Sequence, residues 1–234
     1  MRKIWGILVM VLLVFMVTSV VQAEVDYNQV YRDTLKKWTR SVTVGNAFSV
    51  QATFWSEELV QAWVAKYGKE NLLSSEEQLA YHRDFIQREQ LGRYLMFEVT
   101  IKKLKGAPLY PLDFAKNTYL VDDQGRKLFP ATFSQELGER ILKEATGKVY
   151  FPRFDKDGKP FISPETKSVT LFVNKVSLDP SLISAEVKLE FSNPYVAPDY
   201  TRPEWKPTLE EEILRLEERV KDLEFKKERL AEDM

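Results

Sequence analysis

The chain has 234 residues, 44% hydrophobic and 29% charged, with 34 Lys and Arg against 35 Asp and Glu, a single His and no Cys. A formal net charge of −1 gives no electrostatic case for nucleic acid. The lack of Cys excludes disulfides, thiol catalysis, Cys-ligated zinc and iron–sulfur clusters, and one His excludes zinc sites that need two.

Met1-Arg2-Lys3 is a short basic start, Ile4 to Val17 is apolar apart from Gly6, and Val21-Gln22-Ala23 precedes Glu24. This order reads as a secretory signal peptide (residues 1–23) cut between Ala23 and Glu24. The cut removes two basic residues and no acidic one, so the mature 211 residues carry a net charge of −3. The alternative is an uncleaved anchor. The 18 residues from Ile4 to Val21 approach the lower limit for spanning a bilayer, and Arg2 and Lys3 would stay cytoplasmic. With no lipidation Cys and no Asn-x-Ser/Thr acceptor, the chain leans towards a bacterial envelope.

Residues 24–192 read as one domain. Tyr27, Val30, Tyr31, Leu35 and Trp38 share a face at helical spacing, which predicts a helix over 26–39. Gly45-Asn46 then breaks the chain, and Phe48 to Phe54 alternate as a strand. Leu59, Val60, Trp63, Val64 and Tyr67 predict a second helix that Gly68 can end. A third opens at Ser74 or Ser75 with Glu77 or Gln78 as a capping box, and turns Leu79, His82, Phe85, Ile86 and Glu89 inward. The two should form a hairpin packed on a sheet.

From residue 93 the pattern is β. Leu95 to Ile101 alternate, and Lys102, Lys103 and Lys105 at their end read as lysines blunting a sheet edge. Tyr119 to Val121 and Lys127 to Phe133 flank the turn Asp122-Asp123-Gln124-Gly125, with Pro130 demoting the second run to an edge. Gln135 to Ala145 is a short helix or a long loop. Strands follow at Val149–Phe154, Val169–Val173 and Ala185–Phe191. This spacing predicts an α+β, mainly β fold: an immunoglobulin-like β-sandwich with a helical insertion, and a C-terminal coiled-coil-type helix. The alternative is a mixed sheet covered on one side by helices.

Residues 193–207 carry four prolines and read as a strap or linker, able to span up to about 45 Å at ~3.1 Å per residue. Tyr195, Tyr200 and Trp205 make a surface contact its expected role. Residues 208–234 read as an amphipathic heptad helix. Leu209, Leu216, Leu223 and Leu230 recur every seven residues, with Ile213 and Val220 between them. The pattern predicts self-association, docking on the parent domain or contact with another protein.

No residue is nominated as catalytic, cofactor-binding or metal-binding, and no cofactor is implied. His82 reads as packed within a helix pair, Asp155-Lys156-Asp157-Gly158 as a hairpin turn rather than a calcium loop, and Glu98 as a carboxylate on a polar strand face. Trp38, Phe54, Trp63, Phe97, Phe154 and Phe191 fall at core periodicity. The expectation is an exported bacterial envelope protein, periplasmic or secreted, acting as a non-enzymatic binding or assembly module. Its partner would be another protein or a second copy met through the C-terminal helix. A membrane is involved only if residues 4–21 are retained, in an accessory subunit anchored in the inner membrane and facing the periplasm. A secreted carboxylate-based hydrolase is the remaining alternative.

Overall fold

Residues 25–155 and 158–195 are described by a computed structural model. The Ala23–Glu24 junction, residues 4–21, Tyr200, Trp205 and the heptad positions Leu209, Ile213, Leu216, Val220, Leu223 and Leu230 lie outside the described residues.

Asp26 opens helix α1 (Tyr27–Lys37) by accepting hydrogen bonds from the backbone N–H groups of Asn28 and Gln29. The expected helix to residue 39 stops at Lys37, because Thr39–Val44 form a strand, β1, that pairs with β2 (Phe48–Phe54). Gly45, at φ +51°, makes the reversal between them, so Gly45-Asn46 is a hairpin turn and not a plain break. Helices α2 (Glu57–Glu70) and α3 (Ser75–Arg88) follow as the expected hairpin. Ser74 and Glu77 supply the capping box. Gly68 does not end α2, which runs on to Glu70. It is buried, and a Cβ there would stand 2.4 Å from the Gln78 side chain, so its role is to let α2 and α3 approach.

The remaining elements are β3 (Tyr94–Lys103), α4 (Phe114–Asn117), β4 (Thr118–Asp122), β5 (Lys127–Leu128), β6 (Thr132–Phe133), a 3-10 turn at Gln135–Leu137, β7 (Glu144–Pro152), β8 (Ser168–Val173) and β9 (Lys188–Ser192). They make a mixed α+β fold with two sheets, ordered β1-β2-β3-β7-β6 and β5-β4-β8-β9, whose pairings are all antiparallel. The chain changes sheets between β5 and β6, at Pro130. Each of these two-residue strands is an edge, consistent with a residue that cannot donate to a ladder.

One core lies between the sheets. Phe54 and Phe97 stack at 4.8 Å, and Phe191 of the opposite sheet meets Phe97 at 5.4 Å and Phe54 at 6.2 Å. All three are buried, as strand alternation requires of residues on an inner face. A second cluster of Val60, Val64, Phe85, Leu91 and Met96 seats α2 and α3 on the outer face of the larger sheet. At the seam where β1 approaches β9, Arg40 Nε donates to the Glu190 carbonyl at 2.9 Å, and its guanidinium lies 5.5 Å from the Phe191 ring.

Two expectations about side chains are corrected. Lys102 is not at a sheet edge: β3 runs between β2 and β7, and Lys102 stands 3.9 Å from Glu144 on the neighbouring strand. Phe154 is not core but 47% exposed, because the chain leaves β7 at Pro152 and Phe154 bridges Pro160 across the Asp155–Gly158 turn.

Candidate functional site

Strand alternation puts Ser41 of β1, Gln51 and Thr53 of β2 and Glu98 of β3 on the outer face of the larger sheet. Their register aligns them in two rows: Thr39, Thr53, Glu98 and Lys148, then Ser41, Gln51, Thr100 and Thr146. α1 overhangs the first row. The Thr39 hydroxyl donates to the Leu35 carbonyl at 2.7 Å, so the 2.9 Å contact with Thr53 Oγ1 must be donated by Thr53. That relay, and Glu58 accepting from Lys37 Nζ and Trp38 Nε1, pins the end of α1 to the sheet and to α2.

The overhang leaves a groove of about 450 Å³, within the ~300–1,000 Å³ range of ligand sites. Tyr31, Arg32, Leu35 and Lys36 line it from α1, Ser41, Gln51 and Thr53 from the sheet, and Trp55 and Glu98 close it on the β3 side. Burial, then the negative charge of Glu98, pushes the Tyr31 hydroxyl above its ordinary pKa of 10.0. The Trp55 indole N–H is shielded from solvent and has no hydrogen-bond partner among the described residues. Arg32 donates only to the neutral Gln29 Oε1, and Arg40 only to the carbonyls of Lys37, Thr39 and Glu190. The side chains of Lys36, Gln51 and Glu98 make no hydrogen bond or ion pair among the described residues.

Three other polar clusters are absorbed by packing. Glu89, at the C-terminal end of α3, accepts from Lys148 Nζ at 2.7 Å and from the Tyr150 hydroxyl at 2.9 Å. Burial pushes this carboxyl up, but those two hydrogen bonds and the charges of Lys148 and Arg88 outweigh it and hold the pKa below the ordinary 4.5. Burial, together with the bond to Glu89 and its charge, raises the Tyr150 phenol. His82 is 2% exposed, and its Nε2 lies 3.2 Å from Glu57 Oε1, joining α3 to the start of α2 as the packed-histidine reading expects. Asp122 accepts from the Gln124 and Arg126 backbone N–H groups and from Arg126 Nε, which makes it the anchor of the β4–β5 turn.

Of the residues nominated from sequence, Tyr195 is described: it is 37% exposed, follows the buried Pro194 beyond β9 and is not among the residues that line the groove. Glu98 is legible as an outward carboxylate. Its neighbours are not, because placing Gln51 and Thr53 beside it needs the strand register, and the sequence pattern assigns nothing between the helix over 26–39 and the break at Gly45-Asn46.

No protein-family model matches the chain, and no curated protein matches it. It is similar to a crystal structure of a protein of unknown function from Burkholderia pseudomallei K96243, with 11% identity and a TM-score of 0.34 over 74% of this chain and 84% of that one.

Proposed function

We propose that this chain is an exported, non-enzymatic binding or assembly module of a bacterial envelope, built on an immunoglobulin-like sandwich. The strand order supports the sandwich reading: β2-β3-β7-β6 and β5-β4-β8-β9 correspond to the A-B-E-D and C′-C-F-G sheets of that topology. On this reading β1 is an extra strand beside A, and α2–α3 are an insertion between A and B.

The observation that carries the binding role is the groove under α1. The side chains of Lys36, Gln51 and Glu98 are unengaged there among the described residues, and Glu98, its single carboxylate, faces no second acid in the lining. That arrangement suits capture better than the paired carboxylates of a glycosidase. The heptad helix, through Leu209, Ile213, Leu216, Val220, Leu223 and Leu230, supplies self-association or partner contact. Retention of the mature chain's partners from its own envelope, with and without residues 208–234, tests the role. A double change of Leu216 and Leu223 to Asp should lower the mass seen by sedimentation, and an unchanged mass removes the helix from the proposal.

A second reading, a membrane-anchored accessory subunit, draws on one feature. Val25, Tyr27 and Val30 are 54%, 36% and 42% exposed where the chain emerges from the apolar N-terminal segment. Mass spectrometry of the exported protein separates the two, since an N-terminus at Glu24 leaves no anchor.

A further inference from the structure

The groove under α1 differs in charge from the chain that carries it. The protein as a whole is slightly negative, yet Arg32 and Lys36 of α1 face Glu98 alone across this groove. Neither cation is ion-paired among the described residues: Arg32 donates to a neutral acceptor, and Lys36 has no side-chain partner. Unneutralised charge in a concave, partly desolvated site draws anions. The rest of the lining is of a different kind. Trp55 and Leu35 offer apolar surface, while the Gln51 amide, the Glu98 carboxylate and the Tyr31 hydroxyl offer acceptors and donors that no neighbour uses.

A polyhydroxylated ring matches that lining. One face of it is apolar and packs on an indole, its hydroxyls bridge to amide and carboxylate oxygens, and an acidic substituent would meet the cations on α1. An extended peptide matches poorly. Peptides that join sheets do so through backbone groups at an open edge, whereas the groove floor is the face of β2 and β3, whose backbone groups are already paired on both sides.

We propose that the groove between α1 and the outer face of the larger sheet binds an acidic saccharide, with Lys36 and Arg32 meeting its carboxylates, Gln51 and Glu98 its hydroxyls, and Trp55 its ring face. The proposal rests on the reading of the chain as a binding module and narrows the ligand.

The test titrates the full mature chain with hexamers of glucuronate, mannuronate and galacturonate, and with the neutral cellohexaose, in low and moderate salt. At least one uronate hexamer should bind ten-fold or more tightly than cellohexaose, and its affinity should fall several-fold as salt rises. Lys36→Glu, an exposed change, should lower that affinity ten-fold or more, and Gln51→Ala about five-fold. An unfolding midpoint within a degree or two of wild type confirms that each variant is folded. Absence of binding by all three uronates, equal binding of cellohexaose, or indifference to Lys36→Glu overturns the proposal. Running Lys36→Glu in the envelope retention experiment separates the two levels. If a partner is retained by wild type but lost by this variant, while no uronate binds, the saccharide assignment fails and the binding-module reading stands. If neither uronate nor envelope partner is held, both fail.

Discussion

Two tryptophans at the open end of the β1–β2 hairpin show how much a side chain's partners decide its worth. Trp38 is 2% exposed, packs edge-on against Phe54 at 5.6 Å and donates its indole N–H to Glu58. Trp55 shields its N–H from water without giving it a partner among the described residues. A hydrogen bond to a charged acceptor contributes about 1.5–3 kcal/mol, while a buried donor left unpaired costs about 1–3 kcal/mol. Trp38→Phe should therefore destabilise by about 2 kcal/mol or more. Trp55→Phe sheds the unpaired donor along with some apolar contact and should stay within about 1 kcal/mol of wild type. Urea unfolding of the two variants checks this, and equal losses would mean that the Trp55 N–H is satisfied in solution. Sequence periodicity puts Trp38 at a core position and offers no reading of Trp55. It carried no sign of which indole is bonded, because Glu58 reaches Trp38 only through the packing of α2 on α1.

At the scale of elements, the helical hairpin is held to the sheet by apolar contact and by one polar pin, Glu89 with Lys148 and Tyr150. Its two titrating members bound a pH window. The Glu89 carboxyl is lowered in the folded chain, so its contribution is full above the ordinary 4.5 and is lost as pH falls below it. The Tyr150 phenol is raised, so its contribution is full below 10.0 and is lost as pH climbs past it. Thermal stability should accordingly decline outside this window. Glu89→Gln should flatten the acid limb and, by removing the charge beside Tyr150, shorten the alkaline one; an unchanged acid limb in that variant would assign the loss to other carboxylates. The hairpin itself was legible from periodicity and the Ser74 box, and so were the inward positions of His82, Phe85 and Glu89. Two misreadings at this scale share a cause. Gly68 looked like a terminator and Gly45-Asn46 like a break because local signals cannot tell a glycine that stops an element from one that lets two elements meet.

For the whole molecule, the inward alternation of Leu95–Ile101, Val169–Val173 and Val187–Phe191 is readable along the chain, whereas β1 and the split of Lys127–Phe133 into β5 and β6 are not. Nor is the division into two sheets. It depends on which edges pair and on the crossing at Pro130, and both are long-range choices that no window of sequence contains. The groove was hidden for the same reason, since its floor is assembled from three strands and its roof from a helix.

The Arg40 seam carries a kinetic consequence. The contact from Arg40 to Glu190 joins residues 150 positions apart, so the two edge strands at that side meet only when almost the entire described chain is in place. Closing so long a loop is entropically late, and folds dominated by such pairings are slow to form. The guanidinium therefore acts as a latch fastened after the barrier rather than as part of the nucleus. Arg40→Ala should accelerate unfolding in stopped-flow chevrons and leave the refolding limb nearly unmoved, whereas a slower refolding limb would place the seam early. A latch of this kind sets how long the finished fold stays shut and has little say in how soon it closes.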